Sequence, residues 1–141
     1  LLPELFTEIY MPETVSEEII RGGDIASEKL LDPKENWLKF ISVNIVEDVL
    51  VWNLGEGETA VLSFAFANES EFTALIDDRA ARKCAETLNI KTLGTGGILV
   101  LAKKRGLIEN VSVELKKLQN VGLWLSKEVV EAILRQADEL N

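Results

Sequence analysis

The stretch that most limits what this chain can fold into is Phe72-Thr-Ala-Leu-Ile76, which runs straight into Asp77-Asp78. Five β-forming residues are too few for a helix and fit a central strand buried on both faces. The preceding segment, 58–67, is apolar on nearly every side (Val61, Leu62, Phe64, Ala65, Phe66), as a largely buried helix is. After Asp78, the small residues Ala81, Cys84 and Ala85 share one helical face with Leu88, which permits close packing onto a sheet. Residues 90–93 then read as another short strand. Helices alternating with short apolar strands predict an α/β fold of three layers with a mostly parallel sheet. Two carboxylates where a strand ends and a helix begins lie at the C-terminal edge of such a sheet, where ligands bind. Glu58 opens the buried helix and can be brought to the same edge. Carboxylates converging with no histidine in the chain point to a hard divalent cation, Mg²⁺ or Mn²⁺.

The flanking segments fit that frame. Residues 1–6 read as the tail of an amphipathic helix and 8–11 as a short buried strand. Pro12 favours a helix start. Val15 and Ile19 lie on one face of the helix that follows, with Glu17 and Glu18 beside it, and Gly22-Gly23 ends it. Residues 24–36, with Asp32-Pro33, read as a surface connection. The alternating run 37–43 predicts a strand. Residues 47–53 suit either a short helix or an extended segment, and Gly55-Glu-Gly57 marks a turn. Gly94-Thr-Gly-Gly97 reads as a second turn, leading into a helix over 98–105 that Gly106 stops. Beyond it, Val111, Leu115 and Leu118 form one helical stripe. Ser126 caps a last helix whose stripe is Val129, Val130, Ile133, Leu134 and Ala137. The expected organisation is one domain over 1–141, an α/β core to residue 105 and a helical extension from 106.

Composition excludes several classes of chemistry. The single cysteine, Cys84, rules out an internal disulfide, and the lack of histidine argues against Ser-His-Asp, Cys-His and ordinary zinc sites. No apolar run is long enough to span a bilayer and no signal-peptide pattern is present, so a cytoplasmic, membrane-free protein is expected. The net charge of −9 falls in the first part of the chain: residues 1–60 hold 13 acidic and 4 basic side chains, residues 61–141 hold 11 of each. Such a protein does not draw nucleic acid through its bulk field and would need a local basic patch and a metal to do so. Arg79, Arg82 and Lys83, with Lys103, Lys104 and Arg105, are the candidates; a solvated helix surface explains them equally well. The GTGG run lacks the following Lys-Ser/Thr of a P-loop.

The runs LGEGETAVLSFAFA, LIDDRAARKCAETLNIKTLGTGGILVLAKKRGLIENV and GLWLS resemble the PIN-domain family, as does the stretch from Tyr10 to Ile19. The likeness is to its prokaryotic subgroup of predicted nucleic-acid-binding proteins with a helical C-terminal extension. It implies a Rossmann-like α/β/α sandwich and a Mg²⁺- or Mn²⁺-dependent ribonuclease, many relatives being toxins of toxin–antitoxin pairs. Matched to the family pattern, the metal-binding acids fall on Glu18, Glu58 and Asp78, with Asp77 as close neighbour. Arg79, Arg82, Thr95 and Lys103 are then the expected RNA contacts. The implied partners are an RNA substrate, an antitoxin protein and a second copy of the chain. Two departures stand out. The family's first strand, with its leading aspartate, is expected upstream of Leu1 and is absent from this sequence, by truncation or by loss, and Ala60 replaces a glutamate frequent two residues after the Glu58 position. They motivate the alternative of a non-catalytic PIN-like module that binds protein or RNA without cutting.

Overall fold

The computed structural model describes all residues except 1, 7, 23–36, 69–70, 124 and 141. The expected surface connection over 24–36 lies outside the described residues. The chain divides into two compact units, Leu2–Thr92 and Leu93–Asn141.

The first unit carries α1 (Leu2–Leu5), β1 (Ile9–Pro12), α2 (Glu13–Gly22), β2 (Leu38–Ile41), α3 (Glu47–Leu50), α4 (Glu56–Ala67), β3 (Ala74–Leu75) and α5 (Arg79–Thr87). β1 and β2 pair in parallel with Ile9 opposite Leu38. β3 pairs with β4 (Thr92–Leu93), at whose second residue the next unit begins. The α/β class is as expected. Among the described residues, however, the strands form two sheets of two strands each and not one mostly parallel sheet. β2 is shorter than the alternating run 37–43, because β1 offers only four residues to pair with. β3 is likewise shorter than 72–76, and Leu75 is only half-buried, so it is not the doubly covered central strand expected. Pro12 ends β1, and α2 starts at the next residue.

The core of this unit forms where α4 meets α3, β3 and α5. Val49, Leu62, Ala74, Ile76, Ala81, Cys84 and Ala85 are buried together. Burying a side chain such as Leu62 contributes about 1.5–3 kcal/mol. The small face of α5 lets it approach α4 closely, whereas the sequence predicts close packing onto a sheet. Ser63, fully buried on α4, accepts a hydrogen bond from the Val46 N–H at 3.2 Å, which satisfies a polar group in the core and ties α3 to α4. Tyr10, Phe64 and Phe72 form an aromatic cluster with ring centroids 4.9–5.9 Å apart.

Both glycine-rich segments read as turns are already helix. Gly55 is the N-cap of α4, with extended backbone (φ −61°, ψ 160°), so Glu56, Gly57 and Glu58 form the first turn and Glu58 is its third residue. Gly94 plays the same part for α6 (Thr95–Lys104) in the second unit. That unit is otherwise α7 (Val111–Asn120) and α8 (Lys127–Gln136), packed through Leu99, Val100, Val111, Leu115, Ile133 and Ala137. Gly106, at φ +76°, takes a backbone conformation open to glycine and stops α6 as expected. The Ser126 hydroxyl accepts from the Val129 N–H at 3.3 Å and caps α8. Val129 itself is 45% exposed and leaves the predicted apolar stripe, since the cap position turns it outward.

Candidate functional site

β3 delivers the chain to the surface at two acids. Ile76 is buried, Asp77 and Asp78 are exposed, and α5 begins at the next residue. Asp78 accepts the Ala81 N–H at 2.9 Å and is the N-cap of α5. The cap fixes the carboxylate at the strand-to-helix junction and satisfies one of the helix's free donors.

The second group of acids gathers at the N-terminus of α4. α2 packs against α4, and the Glu18 carboxylate reaches the first turn of that helix. A Cβ on Gly57 would lie 3.0 Å from Glu18 Oε2 and 3.2 Å from Oε1, so glycine here leaves room for the carboxylate. Glu58, one residue further on, turns back over the N-cap: a Cβ on Gly55 would lie 2.6 Å from its Oε2. Neither carboxylate has a hydrogen-bond or ion-pair partner among the described residues. Glu56 adds a third acid to the same turn. The positive end of the α4 dipole and the free N–H groups of a helix start favour negative charge at this place. Ala60, the position where a glutamate is frequent in the resembled family, is 1% exposed and packs into the core, where a carboxylate would be desolvated.

The structure therefore brings Glu18 and Glu58 to one helix turn and places Asp77 and Asp78 at the start of another helix. Among the described residues no three Cys, His, Asp or Glu side chains are grouped closely enough to hold a metal ion. Two carboxylates with no partner among the described residues still fit Mg²⁺, which keeps several waters and is held by one or two carboxylates together with substrate phosphates.

The cationic candidates separate into two kinds. Arg79 and Arg82 stand three residues apart at the start of α5, both exposed, next to the Asp77-Asp78 pair in sequence. Lys103 is held inside the second unit. Its ammonium donates to the Ala137 carbonyl at 2.6 Å and to Glu139 Oε2 at 3.0 Å. Thr95 is the first residue of α6 and half-buried. The sequence alone does not mark Glu139, because its partners lie 27 to 36 residues away. Gly57 carried a signal that could have been used: a glycine inside a helix costs stability unless something needs the space of its side chain.

Among the described residues no helix is long and apolar enough to cross a membrane. A family model described as a PIN domain matches residues 1–139. No curated protein and no solved structure matches the chain. With the match running over nearly the whole length, and with short strands feeding acid-bearing helix starts, the chain belongs to the PIN-domain family, whose members are generally nucleases.

Proposed function

We propose that the protein is a ribonuclease that cleaves RNA phosphodiester bonds with the help of Mg²⁺ or Mn²⁺. The observation that carries this reading is the Glu18 carboxylate of α2 lying over Gly57 beside Glu58, two acids at one helix turn without partners among the described residues. Glu18 and Glu58 are the residues that hold the ion, and Asp78, with Asp77 beside it, supplies further carboxylate at the end of β3. When bound, the ion supplies a water of lowered pKa and charge to offset that developing at phosphorus. Arg79 and Arg82 hold the RNA backbone beside Asp78 as bidentate phosphate donors. Thr95 offers a hydroxyl to a phosphate. Lys103 is assigned to holding the last helix, its ammonium being occupied by Ala137 and Glu139.

The proposal extends to a three-layer α/β/α sandwich as the architecture of the active domain, to a homodimer, and to a cytoplasmic role as the toxin of a toxin–antitoxin pair. The test is an RNA-cleavage time course in Mn²⁺ and in EDTA. Cutting in Mn²⁺ alone is expected, and the combination Glu58→Gln with Asp78→Asn should abolish it and weaken Mn²⁺ binding. A folded chain that never cuts favours the second reading, a non-catalytic module that binds protein or RNA. The observation on that side is the absence of a three-carboxylate group among the described residues.

A further inference from the structure

Between the end of α4 and the start of β4 the chain encloses a cavity of about 290 Å³ that the proposed cleavage site does not use. Phe66, Phe72, Leu88, Asn89 and Lys91 line it. Phe66 and Leu88 pack against the core behind it, which holds those walls in place. The volume falls at the low end for small-molecule sites, about 300–1,000 Å³, and suits one small ring system. Asn89 follows the C-cap of α5 with φ +59°, and the Ile90 N–H closes that helix end on the Ala85 carbonyl at 2.8 Å. Such a position asks for a left-handed residue, for which glycine is the usual choice. It does not ask for a carboxamide. The Asn89 side chain is exposed at the cavity and makes no hydrogen bond among the described residues.

A row of charge leads to this cavity from Asp78. Ala81, Cys84 and Ala85 turn the inner face of α5 to the core. Arg79, Arg82, Lys83 and Glu86 are exposed on the outer face, three cations and a single acid. None of them has an ion-pair partner among the described residues, nor has Lys91 beyond the helix end. From its first residue to its last α5 rises about 12 Å.

We propose that a single-stranded RNA held at Asp78 continues along the outer face of α5 and places one base, adenine by preference, in this cavity. Lys83 and Lys91 take its phosphates. The Asn89 carboxamide offers a donor and an acceptor side by side, the pattern that matches the N6 and N7 edge of adenine. Phe66 and Phe72 supply the aromatic surface on which a base stacks. At about 3.4 Å per stacked nucleotide, the length of α5 puts that base about three or four nucleotides from the phosphate that is cut. A free nucleotide carries its phosphates at one end and would leave the row of cations unused, so the row favours a strand. The inference rests on the reading of RNA as the substrate.

The test uses the whole chain in EDTA, which stops metal-dependent cutting, and follows labelled RNA octamers by fluorescence anisotropy. A uridine octamer carrying one adenine should bind about fivefold or more tightly than uridine alone. Asn89→Gly keeps the left-handed backbone and should remove that preference without loss of stability. Lys83→Gln combined with Lys91→Gln should reduce the slope of log affinity against log salt by about 1.4, the share of two phosphates on a single strand. Equal binding of the two octamers overturns the proposal, as does a preference that survives Asn89→Gly or a salt slope that does not change. Adenosine monophosphate binding as tightly as the octamer overturns it too, by making a free nucleotide the occupant. In Mn²⁺, a dinucleotide too short to reach the cavity should be cut at one rate by Asn89→Gly and the unaltered chain, while the adenine octamer should show a raised KM with the variant. Adenine preference without any cutting would sink the nuclease reading alone, and cutting without the preference would sink the base site alone.

Discussion

The Val111 N–H donates to Glu139 Oε2 across 2.6 Å, so a residue near the end of the chain caps a helix that starts 28 positions earlier. Asn110, the N-cap by position, makes no side-chain cap bond. Glu139 takes over, receiving the Ser112 N–H at 3.0 Å on its other oxygen and the Lys103 ammonium at 3.0 Å. Its side chain is 11% exposed. Burial pushes the carboxyl pKa up. The hydrogen bonds from Ser112, Val111 and Lys103 outweigh this and bring it from the ordinary 4.5 down to about 2.

That depression makes the second unit acid-sensitive. A carboxylate whose folded pKa lies below its unfolded one adds stability above the unfolded value, and the contribution is lost as pH falls through the folded value. The window here runs from 4.5 down to about 2. Glu139→Gln should cost about 2 kcal/mol at pH 7, and the difference from the unaltered chain should shrink across that window. Urea denaturation of both proteins at a series of pH values checks it. A gap that stays constant with pH would leave the hydrogen bonds and remove the charge from the account.

Lys103 shows why part of the site was not legible in the sequence. The run Lys103-Lys104-Arg105 displays positive charge, and nothing local reveals that Glu139 and the Ala137 carbonyl will occupy the first of the three. Ser126 and Asp78 were legible as caps because a cap bonds to donors two or three residues away, within reach of a sequence window. Gly55 and Gly94 read as turns in the sequence because glycine punctuates both turns and helix starts, and only packing decides between them. Strand length is hidden from the sequence for a similar reason. A strand extends only as far as its neighbour, and the neighbour is distant in the chain.

Gly96 tests that packing argument. It lies in the first turn of α6, and a Cβ there would come within 2.5 Å of Ile133 Cδ1 and 2.6 Å of Cγ1 on α8. Gly96→Ala should therefore destabilise by about 1–3 kcal/mol, despite the better helix propensity of alanine. Shortening Ile133 removes both clashing atoms. Combining Gly96→Ala with Ile133→Ala should cost less than the sum of the single changes, by about 1 kcal/mol. Thermal denaturation of the four proteins in the cycle gives the coupling, and additivity would mean that the helices do not approach as described.

Gly57 offers a different outcome from the same substitution. The atoms a new Cβ would meet belong to the far end of Glu18, which can swing away. Gly57→Ala gains helix propensity worth about 1 kcal/mol, so stability should hold or rise. Displacing the Glu18 carboxylate should at the same time weaken Mn²⁺ binding, measured by isothermal titration. Stability kept and affinity lost would separate the space that Gly57 provides from any role in folding. Unchanged Mn²⁺ affinity would remove Glu18 from the proposed metal ligands.

Asp78 has two roles to separate, since it caps α5 and is a proposed metal ligand. Asparagine caps a helix about as well as aspartate, so Asp78→Asn should leave stability within about 0.5 kcal/mol. Asp78→Ala loses the acceptor for the Ala81 N–H and should cost about 1 kcal/mol. Under the nuclease reading both variants lose RNA cleavage, although only the alanine variant loses stability. Comparing melting temperatures with Mn²⁺-dependent cleavage rates tells the two apart. If Asp78→Asn cleaved RNA at the unaltered rate, the carboxylate would be a cap and no more, and the metal would have to be held by Glu18 and Glu58 without it.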